Sequence, residues 1–145
     1  MKQIFTLLLI ASFSSAYSQL SVGMHIGTSN KNVIAGLHSQ YEFKNRFTVG
    51  FNLTSHTDNS NPVFFQSRFG FTLGNSEKGF SVQPYTGYSY AIQNFEQKNY
   101  GGHFTAGVQV RYQVTSIGLI SADFNSASSQ YRMLSIGLAG RFPHR

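Results

Sequence analysis

Between Tyr131 and Phe142 the chain alternates with a period of two. Leu134, Ile136, Leu138 and Phe142 fall on one phase, while Met133, Ser135, Gly137, Ala139 and Arg141 fall on the other. A helix would repeat every 3.6 residues, so this stretch predicts a strand with one apolar face. The same alternation recurs upstream. A chain built from such strands alone must turn its apolar faces either toward one another or toward lipid, and that choice governs the reading of every other residue.

The first eighteen residues carry a different signal. Lys2 is a basic end, Ile4 to Phe13 an apolar run too short to span a bilayer, and Ala16 and Ser18 are small residues suited to a cleavage site. Residues 1–18 are therefore expected to be a signal peptide cut before Gln19, and residues 19–145 one barrel domain. The 145 residues contain no cysteine, which excludes disulfides, thiolate metal sites and a lipid-anchoring cysteine. Without Lys2, ten basic residues face five acidic ones. They are scattered along the chain and do not point to nucleic acid.

Charged residues make up only 11% of the chain and aromatics 15%. A water-facing exterior would be starved of charge, since roughly a quarter of residues are charged in soluble domains. No stretch after the signal peptide is long enough for a membrane helix. If the chain crosses a bilayer, it must do so as a closed barrel.

Leu20, Val22, Met24 and Ile26 alternate with Ser21, Gly23, His25 and Gly27, predicting a first strand turned at Asn30-Lys31-Asn32. Val33, Ala35, Leu37, Tyr41 and Phe43, then Phe47, Val49, Phe51 and Leu53, predict two strands joined through Lys44-Asn45-Arg46. After a polar loop from Ser55 to Pro62, Val63, Phe65, Phe69, Phe71 and Leu73 alternate with Gln66, Arg68, Gly70 and Thr72. Asn75 to Gly79 turns into Phe80, Val82, Pro84, Tyr88, Tyr90 and Ile92, with Pro84 expected at a bulge or where its missing donor does no harm. Beyond the loop from Gln93 to Gly102, Phe104, Ala106, Val108, Val110 and Tyr112 make a sixth strand. The seventh, entered through Gln113 to Ser116, is the least regular: Ile117 and Leu119 set one phase while Ile120 and Phe124 take the other. Asn125 to Gln130 leads into the eighth.

Eight strands of about 9 to 13 residues match the ~9 to 11 tilted residues that cross a bilayer. The turns at Lys44 to Arg46, Asn75 to Gly79 and Gln113 to Ser116 would then lie on the inner side, with mostly longer loops outside. Tyr41, Phe43, Phe47, Phe71, Phe80, Tyr112 and Phe142 form an inner aromatic girdle in this arrangement, and Phe65, Tyr88, Tyr90 and Phe104 an outer one.

The pattern, with its terminal Leu134, Ile136, Leu138 and Phe142, resembles the small eight-stranded outer-membrane β-barrels, the OmpA transmembrane domain and OmpX, over essentially all of residues 19–145. The resemblance implies an all-β, antiparallel, up-and-down transmembrane barrel, monomeric in the outer membrane. Lipopolysaccharide and phospholipid would surround it. The barrel-assembly machinery would read Leu134, Ile136, Leu138 and Phe142 as its C-terminal signal. The sequence departs in two places: Pro143-His144-Arg145 follow Phe142, and Gly140 stands where a bulkier residue is usual.

Hairpin registers carried around the barrel set Glu42 opposite Thr48, Thr48 beside Arg68, Arg68 beside Tyr85 and Tyr85 beside Arg111, all on the inward phase. Glu42 would then bridge to Arg68 along the wall or to Arg111 across the lumen, forming an ionic plug. Opposition of His25 to Gly36 and of His38 to Gly23 brings two imidazoles together. No third ligand is identifiable, so neither a metal nor a cofactor is expected. His38-Ser39 splits across two faces, His56 lacks a neighbouring motif, and neither the lipid A deacylase pattern His-x-Ser-Asn nor a phosphate-binding glycine loop occurs. The expectation is a structural or surface-interaction protein of a Gram-negative envelope and not an enzyme, a lipid A-modifying barrel being the weaker alternative. The main rival is a secreted lipocalin-like barrel binding a small apolar ligand. The absence of Trp, of a flanking helix and of a charged second face separates the chain from it.

Overall fold

The computed structural model describes residues 19–57, 63–75, 79–92, 99–126 and 131–143, so the expected signal peptide lies outside the described residues. The strands are β1 (Gln19–Ser29), β2 (Asn32–Glu42), β3 (Phe47–His56), β4 (Val63–Phe71, resuming as Leu73–Gly74), β5 (Phe80–Ile92), β6 (Asn99–Gln113), β7 (Gly118–Ser126) and β8 (Arg132–Pro143). Each pairs antiparallel with its neighbours in the chain. β8 pairs with β1 from Gln19↔Pro143 to Ser29↔Met133, which closes the sheet.

Following partners around the wall from Ser29 through Met133, Asn125, Gly107, Tyr85, Gly70, Thr48 and Glu42 returns to β1 at Gln19. The path comes back ten residues from where it began. Such a stagger on eight strands tilts them by about 40° and leaves a lumen only wide enough for side chains. The apolar phase faces out: Met24 is 64% exposed and Ile136 62%, whereas Gln66 and Thr54 are at 1%. At the inner ends Phe47 meets Phe71 with ring centroids 5.4 Å apart and Phe80 meets Tyr112 at 4.7 Å; toward the outer end Tyr88 meets Phe104 at 5.7 Å. Cross-strand aromatic pairs of this kind sit well at a membrane interface.

Several boundaries differ from the sequence expectation. Asn30 (φ 48°) and Lys31 (φ 73°) form a two-residue turn with both φ positive, so Asn32 already belongs to β2. β6 starts at Asn99, inside the stretch expected to be loop, and carries a bulge opposite Ala91 and Ile92. In β7 the true outward phase is Ile120 and Phe124, with Leu119 turned inward and Ile117 left in the turn before the strand. Pro84 sits in a regular ladder with β6, opposite Val108. On its other side the β4 ladder runs to Gly70↔Tyr85 and resumes at Leu73↔Val82. The lapse coincides with the position where proline has no N–H to give.

Two outward or inward glycines separate cleanly by what surrounds them. A Cβ on Gly27 would lie 2.0 Å from the backbone oxygen of Leu134, whereas on Gly140 the nearest atoms are those of the Phe142 ring at 3.6 Å. Gly140 borders a cleft of about 500 Å³ on the outward face, between Val22, Met24, Ile120 and Leu138. Gly140→Ala should therefore stabilise the barrel by about 0.4–1 kcal/mol, through the unfolded chain. Gly27→Ala should destabilise it by about 1–3 kcal/mol through overpacking. Urea unfolding of the lipid-reconstituted variants checks both signs.

Candidate functional site

Inward side chains fill the lumen in three tiers. At the outer end Ile34, Phe64, Ala91 and Met133 form a small apolar cluster joined by Tyr131. Tyr131 lies 5.1 Å from the Phe64 ring and 5.6 Å from that of His56.

The middle tier is ionic. Arg68 on β4 reaches across to β7, where Nη1 donates to Asp123 Oδ2 at 2.5 Å. Tyr85 Oη donates to the other carboxylate oxygen at 2.6 Å, and the Arg68 guanidinium lies 4.3 Å above the Tyr85 ring. Gln66 Oε1 accepts from Arg68 Nη2 at 3.4 Å. Turned with its amide oxygen toward the guanidinium, Asn52 accepts from Arg68 Nε at 3.1 Å. Every one of these groups is buried, so the carboxylate and guanidinium are neutralised by each other and by neutral hydrogen-bonding partners. Gly107 makes room for this: a Cβ there would come within 2.5 Å of Tyr85 Oη.

At the inner end Arg111 Nη2 donates to Glu42 Oε2 at 3.1 Å and to Thr72 Oγ1 at 2.8 Å. Gln40 Nε2 donates to Gln83 Oε1 at 2.9 Å, and Gln83 in turn donates to Thr48. Arg141 Nη1 donates to Gln113 Oε1 at 2.6 Å. Beside the middle tier His25 and His38 face one another with centroids 5.9 Å apart, within electrostatic reach of Arg68 and Asp123, and His25 Nε2 bonds Thr54 Oγ1 at 3.0 Å. Their opposition to Gly36 and Gly23 is as the sequence predicts. Among the described residues no group of three or more metal-ligating side chains is placed to hold an ion.

The expected row of Glu42, Arg68, Tyr85 and Arg111 is thus split into two clusters. Glu42 does meet Arg111 across the lumen. Arg68 and Tyr85 instead share Asp123, which lies outside that expected row. Three registers needed correction: Thr48 pairs with Gly70 and Arg68 with Gly50, Arg68 pairs with Gly87 on β5, and Tyr85 pairs with Gly107 on β6. Each error is an even number of residues, because an odd slip would have turned polar side chains outward. Asp123 was legible in principle. Placing Ile120 and Phe124 on the outward phase of β7 puts Ser121, Asp123 and Asn125 inward. Leu134, Ile136, Leu138 and Phe142 all lie on the exposed outward phase of β8.

No family model and no curated protein matches the chain. Among solved structures it is similar in fold to the N-terminal β-barrel domain of Pseudomonas aeruginosa OprF, at 12% identity over 86% of this chain and 97% of that one, with a TM-score of 0.71. A de novo designed transmembrane β-barrel matches at 18% identity over 86% and 95%, TM-score 0.69. Ail, the attachment invasion locus protein of Yersinia pestis, matches at 13% identity over 88% and 99%, TM-score 0.50. The chain therefore has the closed eight-stranded barrel fold found in outer-membrane proteins.

Proposed function

We propose that this chain is an integral outer-membrane protein of a Gram-negative envelope, a structural or surface-interaction barrel whose lumen is blocked. The observation that carries this reading is the inversion of polarity. Leucine, isoleucine, valine and phenylalanine cover the outside while Arg68, Asp123, Glu42 and Arg111 are buried within. Water would penalise that exterior and lipid would not. A soluble ligand-binding barrel needs the opposite arrangement, an apolar interior under a polar surface. The likeness to OprF and to Ail supports the same assignment. Lipopolysaccharide and phospholipid are then its surroundings, and the barrel-assembly machinery its assembly partner, with β8 supplying the recognised strand.

Fractionation and refolding test the reading together. The protein should sediment with outer membranes, fold only with detergent or lipid, and migrate differently in SDS gels before and after boiling. Reconstituted in planar bilayers, it should pass little current, because three tiers of side chains cross the lumen. A protein that folds in buffer without amphiphile would overturn the membrane assignment. Steady conductance from the unmodified barrel would overturn the blocked lumen.

A further inference from the structure

Among the described residues the outward phase of the eight strands carries one charged side chain, Arg132. It stands at the outer end of β8, between the inward-facing Tyr131 and Met133, and is exposed. Directly below it on the same phase are Leu134, Ile136 and Leu138, each more than half exposed. Extending the β1–β8 register one step beyond Ser29↔Met133 sets Arg132 beside Asn30, and Lys31 follows at the tip of the turn. That turn has only two residues, so the outer rim is low here. On the neighbouring strands Thr28 opposes Leu134 and Ser126 opposes Arg132.

Among its described residues the protein supplies no carboxylate to this arc. Two of its five acidic residues, Glu42 and Asp123, are committed to the lumen. Of the others, Glu77 falls between β4 and β5, Asp58 between β3 and β4, and Glu96 between β5 and β6. The β7–β8 connection reads Ala-Ser-Ser-Gln. A guanidinium on a lipid-facing column is held best by an anion at the height of the headgroups, and phosphate matches its planar donors.

We infer that Arg132 and Lys31 form a binding site for the phosphorylated headgroup of an outer-leaflet glycolipid, whose acyl chains lie along Leu134, Ile136 and Leu138. The site rests on the membrane assignment above, and its test separates the two. Arg132→Gln, Arg132→Lys and the Arg132→Gln/Lys31→Asn double variant are refolded into phosphatidylcholine nanodiscs containing lipid A, and bound lipid A is counted by native mass spectrometry. Heat-shifted gel mobility first establishes that each variant has folded. If no chain folds in lipid, the membrane assignment itself fails. Given folded protein, the unmodified chain should retain lipid A at least about fivefold more than Arg132→Gln, with Arg132→Lys in between and the double variant lowest. Equal retention by all variants would overturn the site. So would equal retention of dephosphorylated lipid A. Displacement of lipid A by millimolar inorganic phosphate would identify a free-anion site instead and overturn the lipid assignment.

Discussion

Asp123→Ala should cost the folded barrel about 3–5 kcal/mol, the largest loss expected from any single lumenal substitution, because it leaves a buried guanidinium without its counter-charge. Arg68 and Tyr85 both depend on this carboxylate, at 2.5 and 2.6 Å. Replacing Arg68 and Asp123 together, as Arg68→Met/Asp123→Leu, should recover much of the loss, since no unpaired charge then remains in the lumen. Unfolding in urea, followed by circular dichroism and gel mobility in lipid, reads all three variants. Strict additivity of the two single changes would show that the pair is not energetically coupled. Glu42→Gln should be milder, about 1–3 kcal/mol. The glutamine amide still offers Arg111 an acceptor oxygen and Arg111 keeps Thr72, whereas Asp123→Ala removes the acceptor altogether.

The architecture was legible in the sequence wherever one face of a strand is uniformly apolar. β1 reads Leu20, Val22, Met24, Ile26 without interruption, and its pairing with β2 is set by a turn so short that register cannot drift. His25 and His38 were accordingly placed where they are found. Longer connections gave no such control, and the registers across β3–β4 and β5–β6 were displaced by two and four residues. The phase survived because burial constrains it, while the register depends on loop conformation, which composition does not specify. β7 failed differently. Leu119 is apolar yet points inward, at 8% exposure, and with Ile117 it made the wrong phase look plausible. Asp123, the residue on which the central cluster turns, lies on the inward phase that this apolar pair obscures.

Solvent on the outward face can be identified by placing a charge there at two depths. Val108 lies opposite Pro84 and Phe124, midway along its strand, and is outward and 43% exposed; Leu73 is comparably exposed, at 49%, but sits at the inner end of β4. In a bilayer, Val108→Arg should destabilise the barrel by about 2–4 kcal/mol and Leu73→Arg by only about 0–1 kcal/mol, because a cation at the midplane has no polar region within reach. Gln109, one residue on, faces the lumen and opposes Asp123. Gln109→Arg brings a cation to a carboxylate, and its cost, about 1–3 kcal/mol, should come from overpacking. The two kinds of penalty differ in what they depend on. Exchange of the bilayer for small detergent micelles, which deform and admit water near the side chain, should relieve Val108→Arg and leave Gln109→Arg unchanged. Measuring the unfolding free energy of the three variants in both media decides the matter: equal costs for Val108→Arg and Leu73→Arg in lipid would mean that the apolar band does not lie across a bilayer.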